Sequence, residues 1–175
     1  MTPAEDNKAP PVQAHRWQPS IMVWGTTTYE KTSIIGIFDG TTKATDYVAP
    51  LKRRLLKDLP MLHLKRSQSN PQNQLVFQQD GAKIHGAFIT NNHFKERGIK
   101  VLYWPPWSPD LNLVEAVWSE VKRKLKRSHD SKEELEEDIQ KQWKNISSEY
   151  PSSLYDSMRD RIQAVIVEEG GPTDY

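Results

Sequence analysis

Leu75-Val-Phe-Gln-Gln-Asp-Gly-Ala-Lys-Ile-His85 carries a short apolar run into an acidic residue at Asp80 and then into turn-forming polar residues. Downstream, Trp104-Pro-Pro-Trp-Ser-Pro-Asp-Leu-Asn-Leu-Val-Glu-Ala-Val-Trp118 passes through a Pro-rich bend into a helical pattern containing Glu115. The first stretch reads as a strand that delivers a carboxylate at its end, the second as a turn that aims a helix carrying another. Glu115 lies 35 positions after Asp80, enough for a helix and a return strand in between. The two carboxylates can therefore meet at one edge of a sheet, where hard oxygen ligands would hold Mg²⁺ for phosphodiester chemistry.

Working outward, Ile21-Met-Val-Trp-Gly25 and Ser33-Ile-Ile-Gly-Ile-Phe38 are short apolar runs joined by polar, turn-compatible residues, the pattern of a hairpin. Val48, Leu51, Leu55 and Leu59 form one stripe of a helix expected over about 45–59, capped by Thr45 or Asp46. Pro50 fits only a first turn, which argues for a start later than Asp46. Residues 68–74 read as a polar loop. A further helix is expected from Ala87 to Arg97, closed by Gly98, and a strand from Ile99 to Trp104.

Val114, Trp118, Val121 and Leu125 then mark one face of the helix that holds Glu115. Ser131-Lys-Glu-Glu134 fits a capping box opening a helix with Leu135, Ile139, Trp143 and Ile146 inward. A last helix after Pro151 would bury Leu154, Met158, Ile162 and Val165 or Ile166 and stop at Gly170-Gly171. The order β-β-α-β-α-β-α-α-α predicts an α/β domain with a helical C-terminal layer over residues 20–175. Residues 1–19, with Pro3, Pro10, Pro11 and Pro19 and no periodicity, read as a disordered leader outside it.

Composition sets the bounds. The length of 175 residues suits one domain with a real core, and 24 basic against 23 acidic residues give no global bias toward nucleic acid. Zero cysteines exclude disulfides, thiolate zinc sites and a cysteine nucleophile. No apolar run approaches the roughly 18 residues of a membrane span, and the start lacks a signal-peptide core, so a soluble intracellular protein without a membrane partner is expected.

The strings Val23-Trp24-Gly25, Phe77 to His85, Trp104 to Glu115 and Ser157-Met-Arg-Asp-Arg-Ile-Gln-Ala-Val-Ile166 resemble the catalytic domain of Tc1/mariner transposases. The resemblance runs from about Ile21 to Tyr175. It implies an RNase H-like fold with sheet order 3-2-1-4-5 and a DDE/D site that uses Mg²⁺ or Mn²⁺ to cut DNA ends and join them to a target, work done in the nucleus. Asp80 matches the family's second acidic residue and Glu115 its third.

Departures from the family pattern are specific. Gly81-Ala-Lys83 replaces the usual Asn-Ala-Pro, and Leu113-Val114 the usual Pro-Ile. The family's first strand, its first Asp and its preceding DNA-reading modules find no match in this sequence. Asp39 is the nearest substitute ligand, but its Phe-Asp-Gly context matches a turn after the family's third strand, and Glu5 and Asp6 sit in the leader. Without a first strand the edges of the second and fourth are left unpaired. The chain is then expected to close one onto the other, to borrow a strand from a second copy or another partner, or to be marginally stable. Two carboxylates retain one ion weakly, and two ions about 4 Å apart repel without a third ligand, so the chain alone is expected to be inactive. A transposase-derived module that binds DNA or protein without cutting is the alternative.

Other residues carry competing readings. His85 either orients a carboxylate, touches DNA or makes a local bond at a helix start. Glu115, Ser119, Lys122 and Lys126 share one helical face, which would lead DNA phosphates toward the metal. The run Lys122-Arg-Lys-Leu-Lys-Arg127 reads equally as a solvated face or a nuclear-import signal. A second basic group, Lys52, Arg53, Arg54 and Lys57, reads as solvated. Trp104, Trp107 and Trp118 read as packing residues around the Pro-rich turn rather than as base-stacking platforms.

Overall fold

The computed structural model describes residues 19–38, 40, 43–52 and 76–175. Strand β1 (Met22–Thr27) and strand β2 (Thr32–Phe38) form the expected antiparallel hairpin, with Val23 opposite Ile37, Trp24 opposite Gly36 and Gly25 opposite Ile35. Strand β3 (Val76–Phe77) pairs in parallel with β4 (Lys100–Val101), and the Leu102 N–H extends the ladder to the Phe77 carbonyl at 2.8 Å. The two pairs are separate sheets among the described residues, so closure of β1 directly onto β3 is not made. Each of these strands keeps one edge without a described strand partner.

Alternation along β1 sends its side chains to two different helical layers. Val23 and Ile35 pack against α3 (Leu113–Lys124), α4 (Lys132–Lys144) and α5 (Glu149–Asp156), in a core of Leu113, Val117, Val121, Ile139, Trp143, Ile146 and Leu154. Trp24 points the other way, edge-on to Tyr47, into a smaller core built by Tyr47 and Leu51 from the α1 (Ala44–Pro50) region and Phe94 of α2 (Phe88–Glu96). The hairpin is thus packed on both faces, with the described side chains of its strands half-buried except for the exposed Met22.

Gly25 faces the larger core, where the Trp118 and Trp143 rings stack with centroids 4.4 Å apart. A β-carbon at Gly25 would stand 2.5 Å from Trp143 Cη2 and 2.9 Å from Trp118 Cζ2. Only a residue without a side chain lets the strand approach the stacked indoles this closely.

Several elements depart from the sequence expectation. α1 starts at Ala44, with the Lys43 N–H donating to the Asp46 carboxylate at 2.9 Å, so Asp46 closes the first turn from inside rather than capping it. Pro50 is the last residue of that helix rather than a first-turn residue; having no N–H to return to the preceding turn, it ends the regular α pattern, and the chain makes a wider turn at 51–52. The rest of the expected helix, residues 53–59 with Leu55 and Leu59, lies outside the described residues, as do the leader through Gln18, Asp39, the polar loop 68–74 and Arg53, Arg54 and Lys57. α2 ends as expected: Gly98 is left-handed (φ 62), and the Ile99 N–H reaches back to the Phe94 carbonyl at 3.0 Å.

The buried stripe of α3 is Leu113, Val117 and Val121, with Val114, Trp118 and Leu125 half-buried beside it, one position round from the expected face. In α4 the Ser131 hydroxyl accepts from the Glu134 N–H at 3.1 Å, as half of the expected box. The other half is diverted, because the Glu134 carboxylate accepts from the Asp130 N–H and from Lys126 instead. The expected last helix is two, α5 and α6 (Met158–Val167), broken at Ser157. The inward residue of α6 is Arg161, whereas Ile162 and Ile166 are exposed. No helix among the described residues is long and apolar enough to cross a membrane.

Substituting Gly25→Ala is expected to destabilise the chain by about 1–3 kcal/mol, the usual cost of overpacking a rigid core. Gly86→Ala, where an added methyl meets nothing within 4 Å, should be near neutral. Thermal unfolding of both variants checks this, with a drop of several degrees expected for the first alone.

Candidate functional site

Asp80 lies three residues beyond the end of β3, exposed, with one oxygen held from two sides. Its Oδ1 accepts the Ala82 N–H at 3.0 Å and stands 2.6 Å from His85 Nδ1. A carboxylate only accepts, so Nδ1 carries the proton in this bond. The imidazole is fixed in turn by the buried Tyr47 ring, 4.4 Å away between centroids. The Tyr47 hydroxyl donates to Gln79 Oε1 at 3.1 Å, and the Gln79 amide donates to the His85 carbonyl at 3.3 Å. Burial pushes the Tyr47 phenol well above its ordinary pKa, and the neighbouring Asp80 charge adds to this, so the hydroxyl remains a donor.

This arrangement orients Asp80 rather than neutralising both its oxygens. Of the readings offered for His85, the geometry is that of a ring orienting a carboxylate; contact with DNA is not seen in this structure, and the helix that follows begins only at Phe88. Tyr47 and Gln79 were not singled out in the sequence; Gln79 adjoins the acid, but nothing local connects position 47 to position 85.

Glu115 sits half-buried in the first turn of α3, where its N–H bonds the Asn112 carbonyl at 2.9 Å and the helix dipole favours a negative charge. The turn before it behaves differently from the expectation of local side-chain bonds. Asn112 is the N-cap residue, yet its side chain makes no capping bond, and its buried Oδ1 has no partner among the described residues. The turn is held instead from the far end of the chain. Arg161, buried in α6, donates to the Asp110 carbonyl at 2.6 Å and to the Ser157 hydroxyl at 2.9 Å, while its guanidinium lies 4.6 Å from the centre of the Tyr175 ring. The Thr173 hydroxyl donates to the Asp110 carboxylate at 2.8 Å. Arg161 falls within a string that carried the resemblance, which was its only sequence signal.

Among the described residues, no group of three or more His, Asp or Glu side chains is gathered as a metal site. Asp80 and His85 are brought together as a pair.

The basic run does not form one face. α3 ends at Lys124 and the chain is extended at Leu125, so Lys126 leaves the helix that carries Glu115, Ser119 and Lys122. Arg123 and Lys124 both bond Glu120, at 2.8 and 3.0 Å, and these bonds hold the Glu120 carboxyl at about 2. Lys126 is occupied by Glu134 at 2.8 Å. Among the described residues, Lys122 and Arg127 are the members of the run that are exposed and in no ion pair.

Below the run, Asp138 is buried. Its desolvation opposes ionisation, but donors from Gln142, the Lys126 N–H and His129, at 2.9, 3.0 and 2.9 Å, outweigh it and hold the carboxyl at about 2. This knot fixes the bend between α3 and α4.

Of the three tryptophans read as packing residues, Trp118 packs in the larger core and Trp104 is half-buried. Trp107 is 97% exposed, which corrects that reading; its backbone is left-handed (φ 59), and the indole does not turn back onto the Pro-rich bend.

A hairpin and a parallel strand pair among helices, with one acid past a strand end and another at a helix start, make an α/β domain. The chain belongs to the DDE superfamily endonuclease family, whose model matches residues 2–136 and so begins within the stretch read as a leader. It is 33% identical over 159 residues to the Tc3 transposase of Caenorhabditis elegans, covering 89% of this chain and 46% of that protein. To the Tcb1 transposase of Caenorhabditis briggsae it is 32% identical over 159 residues, covering 89% and 55%. The chain thus spans about half the length of these relatives. Among solved structures, the Mos1 mariner transposase catalytic domain superposes with a TM-score of 0.69 at 17% identity, covering 88% of this chain and 76% of that one. A pre-cleavage Mos1 transpososome gives 0.75 at 15% identity, covering 99% and 52%. The RNase H-like, DDE-type fold expected from the sequence is therefore the fold of this chain.

Removing the guanidinium by Arg161→Ala is expected to cost about 2–3 kcal/mol, since bonds to a buried charged donor are lost. Arg161→Lys should not restore it, lacking the planar fork; urea unfolding reads both. Asp138 has a depressed pKa in the folded chain, so its contribution is complete above about pH 4 and is lost as pH falls toward 2. Asp138→Asn should remove about 2 kcal/mol of that acid dependence, visible as converging unfolding midpoints of the two proteins between pH 4 and 2.

Proposed function

We propose that this chain is the DNA-processing domain of a DDE-class transposase, with Asp80 and Glu115 holding Mg²⁺ or Mn²⁺ for strand cleavage and transfer. The observation that carries the reading is Asp80 itself, set just beyond a parallel strand end with Oδ1 tethered by His85 and the Ala82 N–H. A tethered carboxylate presents its second oxygen in a defined direction, which is what a hard cation needs from a ligand. The donors fit such an ion in kind, both being carboxylates, and a bound divalent ion would polarise a phosphodiester and ready water for attack. In this reading His85 and Tyr47 orient Asp80, Arg161 orients the turn that leads to Glu115, and Lys122 contacts DNA phosphates. Lys126 is a weaker contact, because its charge is shared with Glu134.

The edges of β1 and β3 that no described strand pairs leave room for a further strand between them, supplied by this polypeptide, a second copy or another partner. Thr26 Oγ1 and Gln78 Nε2, buried near these edges in the sequence order and without partners among the described residues, fit an incomplete sheet. Such a strand is also where the third carboxylate would enter. The family's cutting and joining of DNA would place the protein in the nucleus, and the paired-end and strand-transfer complexes of Mos1 are the precedent for DNA as its partner.

The alternative, a module that binds DNA or protein without cutting it, is favoured by one observation: the described residues gather no three-ligand cluster. Binding of Mn²⁺, followed by the loss of its free-ion resonance signal, separates the two. Weak binding that Asp80→Asn and Glu115→Gln each reduce at least tenfold is expected, together with little or no nicking of supercoiled DNA by the chain alone. Binding or nicking that survives both substitutions would overturn the metal site.

A further inference from the structure

Trp107 combines two costly features. Its ring is 97% exposed, and its backbone holds a left-handed conformation that a bulky side chain disfavours. The loop around it is stiff: Pro105, Pro106 and Pro109 restrict the chain, the Ser108 hydroxyl donates to the Pro106 carbonyl at 3.2 Å, and Asp110 is pinned by Arg161 and Thr173. With the backbone so restrained, only the side-chain freedom of the ring is lost when something stacks on it.

The position of the loop says what that something is. β3 and β4 run parallel with Phe77 opposite Val101, so the chain leaves both strands at the same edge of the sheet. Asp80 follows β3 by three residues, Tyr103, itself 86% exposed, follows β4 by two, and Trp107 lies on the path from that edge to Glu115. We infer that Trp107 is a stacking surface for an unpaired DNA base whose neighbouring phosphate lies at the Asp80 and Glu115 site. This rests on the DNA-processing reading and adds a base-binding element to it. Stacking on an indole tolerates any base, because each presents a π-face, so the contact would favour frayed or overhanging ends over paired ones without reading their sequence. A protein partner is the competing occupant, but it would call for a broad apolar face; a single exposed ring, between the two acids in chain order, suits a strand of nucleic acid better.

The test compares a blunt duplex with one bearing a short single-stranded overhang that contains 2-aminopurine, in Ca²⁺. The wild-type chain should bind the overhang more tightly and quench the 2-aminopurine. Trp107→Ala should weaken overhang binding roughly tenfold and abolish the quenching while leaving blunt-duplex affinity unchanged. Trp107→Phe should retain most of both. Trp107→Gly, which adopts the same backbone freely, should behave as Trp107→Ala does and so separates the ring from the loop conformation. Equal effects on both DNAs, no effect on either, or loss of self-association in sedimentation instead would overturn the inference alone. Failure of the wild-type chain to bind any DNA would overturn the DNA-processing reading and this inference with it.

Discussion

The fold depends on a strand that is packed on both faces. β1 places Val23 and Gly25 against α3 and α4 and Trp24 against Tyr47, so the hairpin adds its half-buried side chains to both helical cores. The closest point is Gly25 beneath the stacked Trp118 and Trp143 rings, and it couples the strand to two helices at once. Apolar contact at this density is stabilising because both indoles lose water on one face without leaving a void. The same strand has an edge that no described strand pairs, so it is packed on both faces while its pairing within the sheet is one-sided among the described residues.

The site inherits its order from these two cores. Tyr47 belongs to the smaller core and stacks on His85, which bonds Asp80; a packing residue thereby sets the direction of a carboxylate two contacts away. Glu115 rides on α3, whose Leu113, Val117 and Val121 anchor it in the larger core, and the turn before it is fixed by Arg161. Each acid is therefore positioned by a different hydrophobic cluster, and the hairpin sets the spacing between the clusters. On such a scaffold a small shift of either layer moves one carboxylate relative to the other, so their relative position is sensitive to packing far from both.

Much of this was legible in the sequence where a local pattern has a local cause. The alternation of Val23, Trp24 and Gly25, the glycine closing α2 and the Ser131 cap of α4 all follow from neighbours within a few residues. The family strings gave the fold and the two acids together. Errors arose where distant parts decide. Arg161 displaced an apolar residue as the inward side chain of α6 because its partner, the Asp110 carbonyl, is 51 residues away. Glu134 left its reciprocal capping bond because Lys126 and the Asp130 N–H compete for the same oxygens. The continuous basic face failed for a related reason: periodicity extends a helix through Lys126, but the Asp138 carboxylate draws the Lys126 N–H into a different bond and α3 ends first.

Trp107 shows the opposite error, in which a residue type suggested burial and the backbone refused it. Tryptophan is rich in apolar area and is usually drawn inward, yet here three prolines and a pinned Asp110 dictate the path of the chain, and the ring follows that path outward. Folding alone would favour glycine or asparagine at a left-handed position and a polar side chain in water. An indole at this position departs from local preference at a point that lies, in chain order, between the two acids. Departures of this kind, held in place by the structure around them, concentrate where a surface serves a ligand rather than the fold.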